Sequence, residues 1–111
     1  MANPHAGEVA LVVNGERRLA KLTLGALASL EARLESGSLV ALVERFEGGA
    51  FSASDVIALL HAGLAACGWD GSESDLAAAE IEGGPMVAAQ MAARLLAVAF
   101  VVPGDTPDGG V

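Results

Sequence analysis

Imidazole and thiol ligands are scarce in this 111-residue chain: two histidines and one cysteine. His61 and Cys67 fall within one apolar helical stretch. Six positions on a helix is about 240° of rotation, so the two side chains point apart and cannot share a metal. His5 lies in a short N-terminal arm. A zinc site needs more ligands than these, so His61 is expected to be structural or on the surface. Cys67, at the apolar end of its helix, is expected to be a small core residue and not a nucleophile. A single cysteine permits no internal disulfide, which suits a reducing cytoplasm.

Oxygen ligands recur at Asp70, Ser72 and Ser74, as in the start of a calcium loop. The sixth position is Asp75 where glycine is needed, and the twelfth is Ile81 where a bidentate glutamate is needed. Helix capping explains these residues better. Gly83-Gly84 before a helix resembles a phosphate cradle. No Lys or Ser/Thr follows in P-loop spacing, and Glu80 and Glu82 would repel an anion. A carrier protein would want Asp-Ser-Leu at a helix start, and Ser74-Asp75-Leu76 has another order. No Ser-His-Asp or Cys-His signature is present. The expectation is no catalytic residue, no metal site and no cofactor.

The elements that would position any site read as follows. Glu8-Val-Ala-Leu-Val-Val13 is a valine-rich run, and Asn14-Gly15 is a strong hairpin turn signal. Glu16–Leu22 then alternates, with Arg18, Ala20 and Leu22 opposed to Arg17, Leu19 and Lys21. A lone hairpin is marginal in water, so helices must cover one face. Thr23 can cap a helix whose face is Leu24, Leu27, Leu30 and Leu34, ending at Ser36-Gly37. Ser38 can cap a second, with Leu39, Leu42, Val43 and Phe46 at i, i+3, i+4, i+7. The clearest helical grammar spans residues 52–67. Ser52 or Ser54 caps it, and Asp55 sits in its first turn. Val56, Leu59, Leu60, Gly63, Leu64 and Cys67 share one face, and Gly68 stops it. Phe51, just before the cap, could act as a hydrophobic staple. Gly63 and the alanines imply a neighbour at close range. Ser72 or Ser74 caps a short helix over 75–80. Glu82-Gly-Gly-Pro85 breaks the chain, and a last helix runs from Pro85 to about Val101. Its stripe is Val87, Met91, Leu95, Val98 and Val102.

The fold class expected is therefore α+β, mainly helical: an N-terminal β-hairpin and four to five short helices in one domain over residues 1–102. Residues 103–111 read as a disordered tail. Aromatics make up only 4% of the chain and 53% is hydrophobic, so the core must be aliphatic and alanine-rich.

The net charge of −8 is unevenly placed. Residues 1–46 hold five acids and five bases; residues 47–111 hold nine acids and one base, Arg94. Such a field disfavours nucleic acid and anionic membrane as partners. It favours solubility or steering toward a basic partner. The longest apolar run, residues 85–102, is interrupted by Gln90 and Arg94 and is short for a membrane span. The N-terminus lacks a basic-then-apolar signal pattern.

Five strings carry a family likeness: Glu8–Glu16, Leu22–Ala32, Ser38–Gly49, Phe51–Leu64 and Gly83-Gly-Pro85. Over roughly residues 4–100 the chain resembles a small tail protein of gene transfer agents, the phage-like particles of alphaproteobacteria, grouped with phage tail assembly chaperones. The resemblance implies a non-enzymatic role in building a siphophage-like tail in the bacterial cytoplasm. A chaperone of this kind would bind the tape-measure protein and the tail tube protein and be absent from finished particles. The alternative is a structural tail component, retained in them in many copies. The last helix is apolar all round. It is therefore either central to the fold or offers a stripe to a partner or a second copy, with Met91, Leu95, Leu96 and Phe100 as the expected docking residues.

Overall fold

The computed structural model describes residues 8–34 and 39–99. Strands β1 (Glu8–Val13) and β2 (Glu16–Lys21) form a hairpin. Helices α1 (Leu24–Arg33), α2 (Leu39–Gly48), α3 (Ala53–Ala66), α4 (Glu73–Ala78) and α5 (Gly84–Ala99) follow. The mainly helical α+β fold expected from the sequence is the one observed.

The strands pair antiparallel, Val13 opposite Glu16 and Glu8 opposite Lys21. The turn is possible because Asn14 and Gly15 both take positive φ, 53° and 83°, as a two-residue hairpin of this twist requires. Alternation then divides the faces. Val9, Leu11, Val13 and Ala20 are buried under the helices, while Glu16, Arg17 and Arg18 at the tip stay exposed. The sheet has a short extension that the sequence reading missed. Ile81 bridges Val13, the Asn14 N–H donates to the Glu80 carbonyl at 2.7 Å, and the Glu82 N–H donates to the Val12 carbonyl at 3.1 Å.

α3 is the hub, packing on β2, α1, α4 and α5. Ser52 accepts from the Asp55 N–H at 3.1 Å, and the Asp55 carboxylate accepts from the Ser52 N–H at 2.9 Å. This reciprocal capping box satisfies two donors that the first turn would otherwise leave open. At the other end the N–H groups of Gly68 and Trp69 donate to the carbonyls of Ala65 and Leu64. Gly68 has φ 98°, so α3 ends in a Schellman motif. Gly63 is where α3 meets the sheet. A Cβ placed there would lie 3.0 Å from the Ala20 Cβ and 3.3 Å from the Lys21 backbone nitrogen.

One aliphatic cluster draws on every element, with Leu30, Leu42, Leu59, Leu60, Leu64 and Leu95 fully buried. Three faces differ from expectation. In α1 the expected Leu30 and Leu34 are buried with Ala26, and Leu27 packs half-buried on the core, but Leu24 is 85% exposed. Leu24 is the first helical residue and projects beyond the layer that α3 covers. In α5 the buried face is Ala88, Ala92, Leu95 and Leu96; Val87, Met91 and Val98 flank it half-buried. The buried face thus joins two alanines to two leucines and leaves the valine and methionine positions at its margin. Cys67 caps α3 and is exposed, not a core residue. The Schellman turn carries it out of the helix face it would otherwise have joined. Phe51 stacks on Phe46 with ring centroids 4.5 Å apart, tying α2 to the start of α3. The Ser38 cap, the Ser36-Gly37 stop, the N-terminal arm and the 103–111 tail lie outside the described residues.

Candidate interaction surface

The residues singled out for chemistry turn out to hold the fold. The His61 Nε2 lies 2.9 Å from the Gly71 carbonyl. A carbonyl can only accept, so this nitrogen carries the proton. The ring meets Trp69 edge-on at 6.1 Å, and His61 thereby ties α3 to the loop before α4. Although Cys67 is exposed, partial desolvation by its neighbours raises the thiol above its ordinary pKa, with Glu8 adding to the shift and Lys21 opposing it, which disfavours the thiolate a nucleophile would need. Ser72 and Asp75 form a second capping box, at 3.0 and 2.9 Å. The Asp70–Asp75 segment is thus a helix start. Gly83 and Gly84 take positive φ, 93° and 79°, and turn the chain into α5 with Pro85 in its first turn. No group of three or more His, Cys, Asp or Glu able to hold a metal occurs among the described residues.

Two ion pairs went unread in the sequence because their partners are distant. Arg45 of α2 reaches Asp55 with two parallel hydrogen bonds of 3.0 Å. Burial pushes the Asp55 carboxyl up, but the Arg45 guanidinium and the Ser52 N–H outweigh it and hold the group below the ordinary carboxylate range. Arg33, in the last turn of α1, grips Glu73 of α4 at 2.8–3.0 Å.

The expected docking residues separate. Leu95 and Leu96 are 0% and 4% exposed in the core, so in this fold they present no surface to a partner. They anchor α5 on α3 and the sheet. Met91 is half-buried, and Phe100 lies outside the described residues. Exposed apolar side chains are elsewhere: Leu24, Val40 and Met86.

A concavity of about 990 Å³ opens between the hairpin tip, α3, α4 and the start of α5. Its floor is Leu60, Leu76 and Ala88, buried; Ile57 and Ile81 form half-buried walls. Arg17, Glu80 and Glu82 are its charged members, all exposed. It is an apolar surface with no nucleophile, base or ligand set, suited to contact and not to reaction.

Residues 6–101 match the profile of a family described as "Phage tail tube protein, GTA-gp10". The chain belongs to this family. The match spans every described element, from β1 to α5. It supports the gene-transfer-agent and phage-tail assignment and does not single out an assembly chaperone. No curated protein and no solved structure matches the chain. Among the described residues no helix is long and apolar enough to cross a membrane.

Proposed function

We propose that this chain is a non-enzymatic structural component of a gene-transfer-agent or phage-like tail, built into the tube and retained in the finished particle. The family match over residues 6–101 carries this reading. The fold is consistent with it: both serine-capped helices are closed by reciprocal boxes, and a single core ties hairpin to helices. Assembly would take place in the host cytoplasm, beside the tape-measure protein and other tube subunits.

A second reading, an assembly chaperone that leaves before the tail is complete, is favoured by one observation. Among the described residues the sheet has two strands and five helices follow it, so most of the surface they offer a partner is helix and groove, which suits transient cover of a client. Immunogold labelling of purified particles separates the two. Decoration along the tail supports the structural component; bare tails from cells that make the protein support the chaperone.

A further inference from the structure

The groove at the hairpin tip has the features of a docking site whose occupant can be stated by its chemistry. Its floor and walls are aliphatic, with Leu60, Leu76 and Ala88 below and Ile57 and Ile81 beside. Its charge is one-sided along one wall. Residues 69–84, which form that wall and its approaches, include Asp70, Glu73, Asp75, Glu80 and Glu82 and no Lys or Arg. Glu73 is held by Arg33; Glu80 and Glu82 line the opening, and Arg17 stands on the hairpin side. We propose that this groove binds a basic amphipathic helix of another protein, its apolar stripe on Ile57, Ile81 and Pro85 and its cations beside Glu80 and Glu82.

Charge selects this occupant. An acidic segment or a nucleic acid would meet the whole molecule's −8 field and be repelled. A second copy is disfavoured because the chain's own helices lack a basic apolar face. Arg33 and Arg45 are committed to Glu73 and Asp55, and α5 carries Arg94 alone. Helix-in-groove contact of this kind takes its affinity from the apolar stripe and its choice of partner from the rim. The inference deepens the tail-component reading by naming the kind of neighbour the chain contacts. It is tested on the isolated protein, so it can fail while that reading stands, and the reverse.

The test is fluorescence anisotropy of the full chain with two labelled 18-residue probes of identical leucine pattern, one with lysines on its polar face and one with glutamates. The lysine peptide should bind, and the glutamate peptide should bind at least tenfold more weakly. Reversing the exposed rim, Glu80→Lys with Glu82→Lys, should weaken the lysine peptide at least tenfold and strengthen the glutamate peptide. Reversing Glu44 and Glu47 on α2 makes the same change in net charge away from the groove and should shift either peptide less than threefold. Ala77→Arg, at an exposed position lining the groove, should also weaken the lysine peptide. Circular dichroism melts confirm that each variant is folded; an unfolded rim variant is replaced by Glu80→Gln with Glu82→Gln, for which a loss of at least threefold is expected. No binding of the lysine peptide overturns the proposal. So does binding that the rim changes leave intact, or that the α2 reversal reduces equally, since the attraction would then be bulk charge.

Discussion

Asp55 combines three roles in one side chain: it accepts from Ser52, answers Arg45 and starts the central helix. Its carboxylate is 12% exposed and Arg45 29%, so removing one partner strands a poorly solvated charge. Asp55→Ala should therefore cost about 2 kcal/mol, combining the lost cap and the lost pair, measured by urea unfolding. The exposed Arg33–Glu73 pair should be worth under about 1 kcal/mol. The sign of the pH effect follows from the lowered pKa. The unfolded chain takes up the Asp55 proton first as pH falls. The contribution is complete above the ordinary carboxylate value and disappears as pH drops through the folded one. Asp55→Asn should flatten the fall in melting temperature between about pH 5 and pH 3. An unchanged slope would mean that other carboxylates, such as the capping Asp75, govern acid sensitivity. The caps were legible in sequence because Ser-x-x-Asp is a local pattern. Arg45 was not, since nothing local says which way a helix ten residues upstream will lie.

Between elements, α3 comes close to β2 at Gly63. Helix propensity alone would favour alanine there by about 1 kcal/mol. The added Cβ would press on Ala20 and on the Lys21 backbone, which cannot swing aside as the Leu95 side chain can. Gly63→Ala should thus destabilise by about 1–3 kcal/mol and lower the melting temperature, with Ala20→Gly restoring part of the loss. A rise in melting temperature would show a looser contact. For α5, Leu96→Asp should abolish the cooperative melt, because a charge placed in the core costs an amount comparable to the whole stability of a small domain. Met86→Asp, at an exposed site, should leave it intact. Hairpin, turn and helix spans were readable from alternation, Asn14-Gly15 and caps. The rotation of α5 was not, because valines and alanines ring it and hydrophobicity cannot rank them. The contact of Leu95 with α3 at Gly63 shows which side of the helix faces the core. The burial of Leu95 and Leu96 was hidden for the same reason. An excess of apolar residues on α5 looks the same in sequence whether it is buried by this chain or by another, and the groove is built from three separate stretches, 12–17, 53–60 and 76–88.

At the scale of the whole molecule, the chain is acidic, its described residues share one aliphatic core, and its membership of a phage tail family rests on a match from the first strand to the last helix. The proposed structural role requires physical retention: a tube component stays in the finished tail. Quantitative mass spectrometry of purified, mature particles measures this directly, with the copy number set against the capsid protein. Retention predicts many copies per particle, in a fixed ratio from one preparation to the next. Abundance in the producing cells with none in the purified particles would contradict it and establish the departing chaperone instead.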